Sequence, residues 1–218
     1  MRAVGTHARN PASRVGGALA LVSLGLLGAG CPYQPVIGEP CAYDPAVGNC
    51  FDADRTFDFD DARVDAIDLA SLPQSPSACR DPVRGTVMRV VDGDTFDVMI
   101  DGESVATRIR MIGVDTPETY VVMGYPHCYG ADAKLFTEEL TGRRVALSFD
   151  RGCDDGNMRT LAYVWLGPRE NDSWQRQLLR RGYAHELVIA PNDFLESTYL
   201  GDEAIAVAEM RGQWLECR

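Results

Sequence analysis

The stretch RIRMIGVDTPET, residues 108–119, ends in Asp115-Thr116-Pro117-Glu118, two carboxylates on either side of a proline turn. A third carboxylate, Asp94, follows the Asp92-Gly93 pair upstream. A hard cation such as calcium takes about six to eight oxygen ligands, and Asp94, Asp115 and the Thr116 carbonyl offer such donors from the ends of adjacent strands, with water filling the rest. A further carboxylate beside such a cation suits a general base: it can take a proton from an attacking water while the cation stabilises charge on phosphate oxygens. Displacement at a phosphodiester also needs donors aimed at the equatorial oxygens, and guanidinium groups have that geometry. Lys134 is the single lysine among 21 cationic residues, so nearly every cation here can hold phosphate in a bidentate fork.

Those groups need strands that end side by side. GTVMRVV alternates into Asp92-Gly93, DTFDVMI follows and ends in Asp101-Gly102, and SVATRIRMI comes next, so two Asp-Gly turns join three short strands in a meander. GADAKLFTEELTG predicts a helix with Ala131, Leu135, Phe136 and Leu140 at core spacing and Gly142 as its stop. RVALSFD and TLAYVWL supply two further strands on either side of the loop RGCDDGNMR. SWQRQLLRRGYA predicts a second helix closed by Gly182, and FLESTYLGDEAIAVAEMRGQW a third ending near Trp214. With no βαβ repeat, this order predicts a mainly β fold with α: a five-stranded OB-type barrel carrying three helices over residues 83–218.

At 218 residues and 45% hydrophobic content, the chain has room for one ordinary domain with appendages. Its net charge of −11 excludes broad, nonspecific adhesion to a polyanion, so any phosphate chemistry rests on a few placed cations. Residues 1–30 hold Arg2, Arg9 and Arg14, no acid, and an apolar run from Ala18 to Leu27, the pattern of an export signal peptide. LLGAGC resembles the bacterial lipobox, which implies acylation of Cys31 and a membrane-anchored lipoprotein at the cell envelope. A plain cleaved signal, giving a secreted or periplasmic protein, is the alternative. Residues 31–82 are rich in proline, and residues 31–80 carry nine acids against three arginines, which reads as an acidic tether or wrapped arm. A calcium loop there lacks the glycine and terminal glutamate of an EF-hand.

VVDGDTFDV, RIRMIGVDTPET, CYGADAKLF, MRTLAYV, QLLRRGYA and the helix from Ala204 to Trp214 together resemble, in the same order, the staphylococcal (micrococcal) nuclease or thermonuclease family. The resemblance implies a monomeric calcium-dependent nuclease acting on DNA or RNA. It implies Asp94, Asp115 and Thr116 as metal ligands, Glu118 as the residue that activates water, and Arg110 and Arg159 as the phosphate arginines. The chain departs from the family at Gly156-Asn157-Met158, where a basic residue and a tyrosine are usual, and in HELVIAPND, which has no tyrosine although Tyr183 lies nearby. Weaker or altered substrate binding is expected, because base stacking contributes about 1–3 kcal/mol per base. A noncatalytic OB-fold binding module is the alternative, since a fold does not fix a function; the presence of all the named acids and arginines favours the enzyme. His127 and His185 stand in no acid-base motif and read as surface or loop residues, and Asp132-x-Lys134 reads as a solvated helix face.

Export implies an oxidising compartment, where cysteines pair. With Cys31 assigned to lipid, six of the seven cysteines remain, an even number suited to three bridges. The expected pairs are Cys41 with Cys50 inside the arm, Cys128 with Cys153 between the site loops, and Cys79 with Cys217 at the ends of the domain.

Overall fold

A computed structural model describes residues 57–119, 121–122 and 125–217. The leader, Cys31, Cys41 and Cys50 lie outside the described residues.

Five strands close into a barrel: β1 (Val83–Asp92), β2 (Thr95–Ile100), β3 (Thr107–Met111), β6 (Arg144–Ser148) and β7 (Thr160–Trp165), in the spatial order β1-β2-β3-β7-β6. The β1–β2 hairpin turns on Gly93 and Asp94, with Asp92 opposite Thr95. Two register shifts in β1 increase its local twist, which helps a five-stranded sheet curl onto itself. β3 and β7 pair in parallel, Ile109 opposite Thr160, across a connection that contains the hairpin β4–β5 (Val121–Val122 and Tyr125–Pro126), α2 (Gly130–Glu138) and β6. Val87, Phe96, Val98, Ile109, Met111, Val145, Leu147, Ala162 and Val164 point inward and are wholly buried.

The apolar stripe of α2 falls one step away from the expected one. Ala133, Phe136, Thr137 and Leu140 are buried, while Ala131 and Leu135 face solvent. The ring of Phe136 lies flat between Trp174 and Tyr183, each 4.6 Å from it, and this stack fixes the face that α2 presents. α3 (Trp174–Arg180) is buried along its whole length, and its Arg176 and Arg180 converge on the buried Asp202 of α4 (Glu196–Ala208). The third expected helix is broken: α4 ends at Ala208 and α5 (Gln213–Glu216) starts afresh after Met210 and Gly212, both at positive φ. Only glycine fits at the second of these, because a Cβ on Gly212 would lie 2.5 Å from the carbonyl oxygen of Gly182.

Residues 57–82 run over the barrel. Asp60 caps the short helix α1 (Asp61–Asp65) through the N–H groups of Ala62 and Arg63. Val64, Ile67 and Leu72 join the barrel core, each burial stabilising by about 1.5–3 kcal/mol. Arg84 donates from β1 to the carbonyls of Val64 and Ile67, and Arg144 bridges Asp65 and Asp101.

The cysteine pairing differs from the expected one. The bridges are Cys79–Cys153 and Cys128–Cys217, each with a Cα separation of 5.7 Å. Neither Cys128–Cys153 nor Cys79–Cys217 forms. The reason lies in the path of residues 75–79, which follow the chain leaving β6: Ser75 N–H donates to Phe149 O and Cys79 N–H to Asp150 O, which sets Cys79 against the loop of Cys153. Gln213 N–H donates to Gly182 O and folds the C-terminal end back, leaving Cys217 to meet Cys128.

Candidate active site

The ends of β1, β2, β3 and β7 open onto a cleft of about 290 Å³ lined by Asp92, Asp94, Arg108, Arg110, Asp115, Glu118 and Arg159. All of the residues singled out for chemistry except Thr116 therefore line one cavity, and Thr116 is tied to it directly. Thr116 donates from its N–H (3.0 Å) and its hydroxyl (3.2 Å) to Asp94 Oδ2, while Thr95 Oγ1 donates to Asp94 Oδ1 at 2.8 Å. The turn that carries Asp94 is pressed against this threonine, since a Cβ on Gly93 would stand 2.7 Å from Thr116 Oγ1. Thr137 of α2 holds the same turn by donating to Gly93 O at 2.6 Å.

Arg110 is buried, with 5% of its surface exposed. Its Nη1 donates to the carbonyls of Met111 (2.9 Å) and Val114 (2.6 Å), which curls the chain after β3 around the guanidinium. Its Nη2 lies 2.8 Å from Asp115 Oδ1 and 3.3 Å from Asp94 Oδ2. One positive charge thus stands between the two carboxylates expected to hold a metal.

That single charge does not neutralise the cluster. Burial, together with a hydrogen bond that the protonated Glu118 carboxyl donates to Asp92 and repulsion from Asp92, Asp94 and Asp115, pushes the Glu118 carboxyl up to about 7. Burial also raises Asp115, against the pull of Arg110 and with the push of Asp94. Among the described residues no three His, Cys, Asp or Glu side chains form a ready metal cage. The donors are oxygens only: two carboxylates, the Thr116 carbonyl and room for water, under an excess of negative charge. This fits a hard, partly hydrated divalent cation and does not fit zinc, which seeks imidazole or thiolate.

Glu118 sits on a loop braced from two sides. Gly130, the first residue of α2, faces it so closely that a Cβ there would meet the Glu118 carbonyl oxygen at 2.3 Å. The Glu118 N–H donates to His127 Nδ1 at 3.3 Å, so His127 supports the loop as an acceptor. His185 pairs with Asp115 through the backbone, both N–H···O bonds at 2.8 Å, and its ring lies 3.3 Å from Glu203. The loop role expected of both histidines agrees with these bonds.

Arg159 enters the cleft from the start of β7. Its Nε and Nη2 both bond Asp155, whose other oxygen accepts from Asn157 N–H at 2.7 Å. Asp155, Asp92 and Arg108 are site residues that sequence reasoning passed over. Asp92 was within reach, as the first acid of the Asp-Gly-Asp turn that presents Asp94. Arg108 is two residues from Arg110 and so shares its face of β3. Asp155 gave no signal beyond lying in a polar loop.

A protein-family model described as staphylococcal nuclease homologue matches residues 108–216, half of the chain. A thermonuclease of Staphylococcus intermedius is 44% identical over 108 residues, which cover 49% of this chain and 61% of that protein. A thermonuclease of Staphylococcus hyicus is 39% identical over 131 residues, 60% of this chain and 71% of that protein. The endonuclease YncB of Bacillus subtilis is 33% identical over 135 residues, 61% of this chain and 62% of that protein.

Proposed function

The chain belongs to the staphylococcal nuclease family, and we propose on that footing that it is a calcium-dependent nuclease hydrolysing phosphodiester bonds of DNA or RNA outside the cytoplasm. The observation that carries this reading is the convergence of Glu118, Arg110 and Arg159 on the cleft that also holds Asp94 and Asp115.

Asp94, Asp115 and the Thr116 carbonyl would hold calcium, which when bound offsets negative charge on the phosphate. Glu118 takes a proton from water as the water oxygen bonds phosphorus. The bond from phosphorus to the leaving sugar oxygen breaks, and that oxygen acquires a proton from solvent. Arg159 and Arg110 donate to the equatorial oxygens, where charge builds most in the transition state. A carboxyl near 7 is close to neutral pH, where a general base works best, and a nearby cation favours its ionised form.

The two disulfides support the exported location, because such bridges persist in oxidising compartments. Among the described residues no helix is long and apolar enough to cross a membrane. Attachment to a membrane through a lipid at Cys31 is the reading that LLGAGC supports. Mass spectrometry of the mature N-terminus tests this: a peptide beginning at an acylated Cys31 supports it and an unmodified start elsewhere refutes it.

The function is tested by incubating the exported protein with DNA and with RNA, in calcium or in chelator. Cleavage that needs calcium and falls by about two to four decades in kcat on Glu118→Gln, with substrate binding retained, is the expected result. Binding without cleavage by the wild type would transfer the protein to the class of noncatalytic OB modules.

A further inference from the structure

We propose that Arg108 and Arg89, held by Asp97 between them, form a second phosphate subsite beside the cleft, gripping the backbone of a nucleic-acid strand one step from the bond being cut. The proposal rests on the nuclease reading above.

The three residues make a row across the sheet: Arg89 of β1 stands opposite Asp97 of β2, which stands opposite Arg108 of β3. Ile109 points into the barrel and is wholly buried, so Arg108 and Arg110 lie on the same face of β3, about 6.8 Å apart along the strand. Arg108 lines the cleft itself. The row therefore begins at the reacting centre and leads away from it over β3, β2 and β1, a face on which OB-type barrels accommodate oligonucleotides.

Its charge is organised for an anion. Asp97 has a side chain only 13% exposed, while Arg108 and Arg89 are 39% and 66% exposed. The single carboxylate binds Arg89 Nε at 2.6 Å and Arg108 Nε at 2.8 Å, with Arg108 Nη2 at 3.3 Å. One negative charge between two guanidinium groups leaves a net positive charge, and both Nη groups of Arg89 and Nη1 of Arg108 take no part in these bonds. Hydrogen bonds from Arg108 and then Arg89, winning over burial, hold the Asp97 carboxyl below its usual range, so the pair is fixed in place across the working pH. In a chain of net charge −11, a strand cannot be held by diffuse attraction, and a fixed pair of forks next to the cleft is what a second phosphate requires.

The test uses the full chain carrying Glu118→Gln, so that bound strands are not consumed, and reads fluorescence anisotropy of a labelled single-stranded oligonucleotide, in deoxy and ribo forms, across a salt series. Arg108→Ala is expected to weaken binding by about fivefold and to lower the salt slope by about 0.7, equally for both sugars. Asp97→Asn, which leaves both guanidinium groups, is expected to tighten binding. Arg169→Ala, which takes the same charge from outside the cleft, should change neither. In the otherwise wild-type protein, Arg108→Ala should raise KM for the oligonucleotide by more than it does for a dinucleotide with one phosphodiester. An unaltered salt slope, equal losses on dinucleotide and oligonucleotide, or weaker binding on Asp97→Asn would overturn the subsite. Failure of the wild type to cleave either substrate would overturn the nuclease reading instead, since the anisotropy arm does not depend on turnover.

Discussion

Arg159 is held by Asp155, four residues before it, through two nitrogens on one carboxylate oxygen. The same carboxylate closes the turn over Asn157, and although burial opposes it, these bonds keep the Asp155 acid below its usual range. Asp155 acts on chemistry only by aiming the guanidinium. Replacing it with alanine should lower kcat by about 10²-fold, the cost of a misplaced donor, with KM nearly unchanged. Asp155→Asn, which keeps the acceptor of the turn, should recover part of the loss. Steady-state kinetics in which Asp155→Ala matches the wild type would remove Asp155 from the machinery.

The raised Glu118 carboxyl makes a prediction about stability. Its ordinary value is 4.5 and its folded value about 7, so the folded protein holds more protons than the unfolded one between these pH values. Stability contributed by this group is therefore complete below about pH 4.5 and is lost as pH rises through 7. Thermal melts in chelator should show Glu118→Gln more stable than the wild type at pH 8 and equal to it near pH 4. Calcium should narrow the difference at pH 8 by stabilising the wild type. A Gln variant less stable than the wild type at pH 8 would contradict the strain assigned to the acidic cluster.

Gly130→Ala reverses a familiar preference. Alanine in a helix is ordinarily better than glycine by about 1 kcal/mol. Here the added methyl would meet the Glu118 carbonyl at 2.3 Å and displace the loop that carries the base. The variant should be less stable than the wild type and should lose turnover, whereas Gly201→Ala, with open space around its Cβ in α4, should gain stability and keep full activity. Melting temperature and kcat measured on both variants decide this.

Each disulfide ties one side of the cleft to a distant part of the chain. Cys79–Cys153 anchors the loop leading to Arg159, and Cys128–Cys217 anchors the segment just before α2. Replacing either pair by alanine should cost about 2–4 kcal/mol in chemical denaturation. A nonreducing peptide map should recover these two linkages and neither Cys128–Cys153 nor Cys79–Cys217.

The barrel was readable because its strands alternate and its turns carry Asp-Gly, signals that act between neighbours in sequence. The carboxylates and arginines of the site were readable as an ordered set, and the cleft gathers them. What escaped was set by partners far away in the chain. Phe136, flat between Trp174 and Tyr183, chose the buried face of α2. The carbonyl of Gly182, which only a glycine at 212 can approach, broke the last helix. Asp150 and Phe149, which receive the N–H groups of Cys79 and Ser75, settled a pairing that spacing along the sequence leaves open. Residues 57–82, acidic and without a sustained period, gave no hint that Val64, Ile67 and Leu72 complete the core.

The two bridges also overlap along the chain, one spanning residues 79 to 153 and the other 128 to 217. A single cut at any peptide bond between residues 79 and 217 therefore leaves two fragments still joined by sulfur, and between residues 128 and 153 joined twice. The exposed tip at Met158, where a protease would first find purchase, lies within the second span. A molecule nicked there keeps Arg159 and Glu118 in one covalent body, and its halves meet again at the high local concentration of tethered partners. Where a protease reaches the chain, the damage that would end an unbridged barrel is reduced to a break it can survive.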